Sequence, residues 1–174
     1  MSEIVLREIA RSDLETINAW RADKNLVDLL GSPFRYVGIE VDHRWFDAYL
    51  NARAHNVRLA ICRKDSGQII GVVYLLQIDW VNRSAEFSIQ LGAHTELGMG
   101  FGEQATRMAI RHAFSDLNLR RVHLTVLSTN ERAIALYKKV GFETEGCFRQ
   151  ALFKNGSYVD VISMAILSSD ILDK

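Results

Sequence analysis

The chain has 174 residues, with 21 Lys+Arg against 21 Asp+Glu and so no formal net charge. Hydrophobic residues are 48% and charged residues 24%, an ordinary globular composition that excludes disordered, collagenous and coiled-coil chains. A neutral chain is a poor candidate for nucleic acid or an anionic membrane, which select a basic face, although composition leaves local patches open, and the length suits one domain that buries its own core.

Residues 4–9 alternate in polarity and predict a strand. Ser12-Asp13-Leu14-Glu15 reads as a capping box that opens a helix with Leu14, Ile17 and Trp20 on its apolar side. Residues 24–40 hold the breakers Gly31, Ser32, Pro33 and Gly38 and read as irregular. A second helix is predicted over 41–54, with Trp45, Phe46, Tyr49 and Leu50 on one face. Segments 57–62 and 69–78 read as a hairpin about the turn Lys64-Asp65-Ser66-Gly67. Residues 84–91 form a third strand there, with Ala85, Phe87, Ile89 and Leu91 alternating against Glu86, Ser88 and Gln90. Glycines at 98–102 lead into a helix running to Leu117, beside a strand over 121–127 and a helix over 128–139. Two long strands, 142–153 and 158–167, meet at Asn155-Gly156, a tight-hairpin signal. The order β-α-α-β-β-β-α-β-α-β-β describes a single α/β domain with a mixed, mostly antiparallel central sheet flanked by helices.

Two cysteines, Cys62 and Cys147, are too few for a disulfide scaffold or a four-thiolate zinc site, and both sit in apolar runs that suit buried, inert thiols. His43, His55, His94, His112 and His123 show no ligand spacing, so no metal is expected, and His112 and His123 read as surface or structural. The opening MSEIVLREIARSD has acids where a signal peptide has an apolar run, and no window of ~20 apolar residues spans a bilayer. A cytoplasmic location is the expectation, with no membrane or nucleic-acid partner.

Leu97-Gly98-Met99-Gly100-Phe101-Gly102 stands between a strand and a helix. Its glycines allow a tight turn with outward N–H groups, and the helix adds free N–H groups and a positive dipole end. Together they suit a phosphate or pyrophosphate. Gly100-x-Gly102-x-x-Ala105 fits a dinucleotide fingerprint, but the preceding strand is amphipathic and the next one ends in Ser128 without an acid for the ribose. No Gly-Lys-Ser/Thr follows, so it is not a P-loop either.

The segment Asn130-Glu131-Arg132-Ala133-Ile134-Ala135-Leu136-Tyr137-Lys138-Lys139-Val140-Gly141-Phe142 resembles the second signature of the GCN5-related N-acetyltransferase (GNAT) superfamily, N-x-x-A-x-x-L-Y-x-K-x-G-F. The glycine loop resembles the first signature, with Leu97 in place of its usual Gln or Arg. The resemblance covers nearly the whole chain. Within the superfamily, residues 82–87, 117–119, 141–146 and 153–158 look most like bacterial spermidine N-acetyltransferases and ribosomal-protein N-terminal acetyltransferases, the N-terminal half much less.

That resemblance implies acetyl-CoA as cosubstrate, and transfer to a primary amine by direct attack without an acyl-enzyme. It implies pyrophosphate on Leu97, Gly98, Met99, Gly100, Phe101 and Gly102, and pantetheine beside Ile89, Gln90 and Leu91, with Asn130 and Ala133 on the same arm. Tyr137 is implied as the acid for the leaving thiolate. Glu86 is the candidate base, its plain alternative being a solvent-facing strand carboxylate. Phe34, Arg35 and Tyr36 are candidate acceptor contacts. Arg107 and Lys138 are helix cations in reach of phosphates, read as solvated. The acceptor stays open among a polyamine, an amino sugar, another small amine and a protein N-terminus. Relatives of this kind often form dimers, which implies a homodimer. A non-catalytic acetyl-CoA-binding module is the contrasting reading, disfavoured by Tyr137 and mildly favoured by Leu97.

Overall fold

The computed structural model describes residues 3–92 and 98–172. Seven strands form one sheet in the order β1-β2-β3-β4-β5-β7-β6. They are β1 (Ile4–Glu8), β2 (Val57–Arg63), β3 (Ile69–Asp79), β4 (Ser84–Leu91), β5 (Arg121–Leu127), β6 (Glu143–Lys154) and β7 (Ser157–Leu167). All neighbours pair antiparallel except β4 and β5, which run parallel. The helices are α1 (Leu14–Ala22), α2 (Lys24–Val27), α3 (Ile39–Asn51), α4 (Phe101–Arg111), α5 (Glu131–Val140) and α6 (Ser169–Leu172). The α/β class, the mostly antiparallel sheet and its flanking helices agree with the sequence reading.

Strand alternation sorts side chains onto two faces. Ala85, Phe87, Val73 and Leu75 share a core with Ala105 and Ala109 of α4 and Tyr137 of α5. The small alanines let α4 lie close on the sheet. Val72 and Tyr74 face the other way, against Ile17 of α1 and Phe46 and Tyr49 of α3. Glu86, Ser88 and Gln90 therefore open on the α1–α3 side. Asn155 (φ 50) and Gly156 (φ 84) both take the left-handed conformation, as the β6–β7 hairpin requires.

Several local expectations change. The Ser12 capping box does not form, and α1 starts from Asp13 without a side-chain cap. Asp13 instead turns back to accept from the Ala10 N–H at 2.8 Å and from both Arg7 guanidinium nitrogens at 2.7 Å. The helix predicted over 41–54 starts at Ile39 and ends at Asn51. Within the irregular 24–40 region, Asp23 caps a single turn, α2. α4 stops at Arg111 and gives way to a π-helical turn, His112–Asp116. α5 begins at Glu131, because Asn130 rather than Ser128 caps it. Cys62 is buried as expected, but Cys147 is exposed, since β6 is an edge strand with little covering it.

Burial alone would raise the Asp13 carboxyl, but Arg7 and the Ala10 N–H outweigh it and hold it below 3.8. A depressed folded pKa contributes stability above the unfolded value and loses it as pH falls through the folded one. Arg7→Ala is thus expected to cost about 2 kcal/mol at pH 7. Urea melts should show the deficit shrinking below pH ~4.

Candidate functional site

The glycine loop has the backbone its sequence anticipates. Gly98 (φ +87) and Gly100 (φ +83) are left-handed, and a side chain at either would be strained. Gly100 is the N-cap of α4, and no side chain caps that first turn. Its leading N–H groups are therefore available to an anion at the positive end of the helix. Gly102 serves packing instead. A Cβ there would lie 3.1 Å from Leu136 Cδ1, so the missing side chain lets α4 sit against α5. Leu97 and His94 lie outside the described residues.

A cation that the sequence did not single out joins this loop. A Cβ built on Gly98 would be 3.5 Å from Nη2 of Arg132, which places that guanidinium against the loop. Arg132 reads as one more exposed helix residue in one dimension, because its partner surface lies 34 residues earlier. Arg107, by contrast, donates to Glu103 Oε1 at 3.1 Å and to the Lys139 carbonyl at 2.9 Å.

β4 and β5 pair only at Ser84↔Arg121, Ala85↔Val122 and Glu86↔His123. Beyond that rung the strands part, since β5 continues along β7 and β4 along β3. The β5-facing edge of Phe87, Ser88, Ile89, Gln90 and Leu91 is left without a strand partner. A central strand with one open edge can accept an extended ligand through main-chain hydrogen bonds.

Tyr137 and Glu86 stand on opposite faces of the sheet near this opening. Tyr137 is 8% exposed, packed edge-on to Phe87 at 6.1 Å between centroids and against Phe142 at 5.7 Å. Burial pushes its phenol up to about 12, so the group keeps its proton across the working range. No hydrogen bond holds the Tyr137 hydroxyl among the described residues. Glu86 is half-buried on the last paired rung, opposite His123. His123 is half-buried, and its Nδ1 is buried without a hydrogen-bond partner among the described residues. Ser88 is exposed although it lies on an inner strand, so the α1–α3 face is uncovered there.

The remaining predicted residues divide. Asn130 caps α5 by accepting from the Ala133 N–H at 3.1 Å, and its Nδ2 donates to the Leu29 carbonyl at 3.1 Å. Its side chain thus tethers α5 to the chain after α2. Ala133 lies in the first turn of α5. Phe34 and Tyr36 meet edge-on at 5.3 Å in the loop before α3, where Tyr36 is 97% exposed and Arg35 is exposed. The structure gives these three no contact with Glu86 or Tyr137. No group of metal-ligating side chains occurs among the described residues.

Comparison with known proteins agrees with this geometry. The acetyltransferase (GNAT) domain family matches residues 3–143. A spermidine N(1)-acetyltransferase of Vibrio cholerae serotype O1 is 30% identical over 174 residues, spanning 99% of this chain and 98% of the relative. An L-amino acid N-acetyltransferase of Escherichia coli is 31% identical over 168 residues, spanning 95% and 98%. A crystal structure of Vibrio cholerae spermidine N-acetyltransferase with CoA and spermine superposes with a TM-score of 0.91 at 30% identity, covering 97% of this chain and 98% of that one.

Proposed function

The chain belongs to the GNAT acetyltransferase family, and from that premise we propose that it transfers the acetyl group of acetyl-CoA to the primary amine of a small acceptor, both bound at once. The observation that carries this is the opening between β4 and β5, with an uncapped glycine-rich helix start at one end and Glu86 and Tyr137 on its two sides. Acetyl-CoA supplies an acyl group already activated as a thioester. The residues present fit it. Gly98–Gly102 and the first N–H groups of α4 hold pyrophosphate, with Arg132 providing the cation that Leu97 cannot. The edge at Ile89, Gln90 and Leu91 holds the extended arm. Asn130 acts here by fixing α5, and so Tyr137, through its cap.

Direct attack needs no protein nucleophile, and neither cysteine is suited to be one. Burial pushes the Cys62 thiol up, away from thiolate, and Cys147 lies on the edge strand β6. An aliphatic ammonium has a pKa near 10.4, so it must lose a proton before attack. Glu86 takes it, a reading supported by its half-buried position on the last paired rung beside His123. Tyr137 donates to the departing sulfur.

Glu86→Gln is expected to lower kcat on the order of 10²-fold with CoA affinity unchanged. The loss should be greatest at low pH, where little acceptor is already neutral. An unaltered pH–rate profile would remove Glu86 from the chemistry.

Polyamines head the acceptors to assay, given the spermidine enzymes among the relatives. The L-amino acid enzyme is as similar, so family membership leaves the acceptor undecided. Thiol release with a panel of polyamines, amino acids, amino sugars and peptides tests the reading. CoA binding without turnover of any amine would support the non-catalytic module instead.

A further inference from the structure

The α1–α3 face holds a guanidinium that has no counter-ion among the described residues. Arg58 of β2 lies opposite Tyr74 of β3, and Tyr74 lies opposite Ser88 of β4. The three share one row on the face where Ser88 is exposed. Three aromatic rings hold the Arg58 head: its Cζ is 4.8 Å from the Trp45 centroid, 4.8 Å from Tyr74 and 5.7 Å from Tyr49. Its Nε is buried and makes no hydrogen bond. No carboxylate among the described residues pairs with it, and the tyrosine hydroxyls beside it, that of Tyr74 within hydrogen-bonding reach, are neutral. Gln90, on the same face two residues past Ser88, likewise has a buried Nε2 with no partner.

A half-buried cation held by π-faces and a neutral hydroxyl, with no counter-charge, is poorly compensated. Guanidinium presents a planar fork matched to carboxylate or phosphate oxygens. Three of the acids that would suit a polycation are already engaged. Asp42 pairs with Arg21 and Asn18, Asp28 with Lys24 and Asn155, and Asp47 with Arg11. Glu86, on the same face as Ser88, serves one amine.

Resting on the acetyltransferase reading of this site, we propose that the acceptor is an amine that also carries an oxyanion, carboxylate or phosphate, which Arg58 binds while the amine lies at Glu86 and Ser88. Two strand spacings separate β2 from β4, so the backbones that carry the anion and amine positions lie roughly 10 Å apart. Ser88 offers a further donor along the way. Arg58 is thus a specificity residue, and Trp45, Tyr49 and Tyr74 fix its head.

The test measures kcat/KM for matched acceptor pairs: amino acids against their carboxamides, amino phosphates against the dephosphorylated amines, and spermidine alone. The expected result is at least 30-fold preference for the anionic member, with the two series telling carboxylate from phosphate. Arg58→Gln should bring that ratio close to one, mainly through KM, and Arg58→Lys should restore part of it. The ratio is taken within one preparation, so loss of folded protein cancels. Preference for spermidine or the uncharged members, or a ratio that survives Arg58→Gln, overturns the proposal while leaving an N-acetyltransferase. If no amine is acetylated, the acetyltransferase reading fails separately, and thermal shift of the CoA-loaded protein by the same anionic amines decides. A shift lost in Arg58→Gln supports the proposal, and an equal shift in both proteins overturns it.

Discussion

Tyr137→Phe should lower kcat by roughly 10²- to 10⁴-fold, the range for losing a positioned general acid. KM for acetyl-CoA and the melting temperature should stay near those of the parent. The hydroxyl makes no hydrogen bond among the described residues, whereas the ring packs on Phe87 and Phe142, and phenylalanine keeps that ring. The loss should therefore appear in the chemical step and not in folding. With the phenol pushed up to about 12, Tyr137 is protonated at every pH of assay and cannot produce a basic limb near neutrality. A thiolate has a pKa near 8.5, so complete proton transfer from the phenol is uphill, and Tyr137 acts mainly through a hydrogen bond aligned with the developing thiolate. The contribution is thus positional, and Tyr137→His, which offers a proton from elsewhere, should not rescue it. A Phe variant with full turnover would leave Tyr137 as core alone.

The strands, the two long helices of the C-terminal half and the Asn155-Gly156 hairpin were legible because each carries a local signal: alternation, a 3.6-residue stripe or a turn that only certain residues adopt. The glycine loop was legible for the same reason. What escaped depends on contacts between distant segments. Ser12 has the right spacing for a cap, yet Asp13 is claimed by Arg7 across the β1–α1 corner. Cys147 sits in an apolar run, but its strand ends up at the sheet edge. His123 looks ordinary until β4 and β5 pair for only three rungs and put it beside Glu86. Arg132 and Arg58 gain meaning from a glycine loop and an aromatic box assembled by the fold, which no spacing rule encodes. Phe34, Arg35 and Tyr36 were chosen because they lie in an irregular stretch, and irregularity by itself does not say which way a loop faces.

Asp42→Ala should be the most damaging single change to stability outside the apolar core, at about 3 kcal/mol. Asp42 is 0% exposed in the first turn of α3. It accepts from Asn18 Nδ2 at 2.7 Å and pairs with Arg21, so one carboxylate fastens α1 to α3. Asn18 also donates to the Val37 carbonyl at 2.9 Å, which ties in the loop before α3. Removing the carboxylate strands a guanidinium that is only 38% exposed and leaves a small void. For a chain of this size the melting temperature should fall by roughly 10 °C. The effect should also divide by face. Residues proposed to hold acetyl-CoA lie on the glycine loop, α4, α5 and the β4 edge, whereas α3, fastened to α1 by Asp42, carries Trp45 and Tyr49 of the Arg58 box. Acceptor KM should therefore rise severalfold in the folded fraction while CoA affinity holds. Asp42→Asn, which keeps the shape and one acceptor oxygen, should fall between the two and remain folded enough to assay. Equal weakening of CoA and acceptor in that variant would mean that the two faces do not act separately, and that the α1–α3 side is not where the acceptor is held.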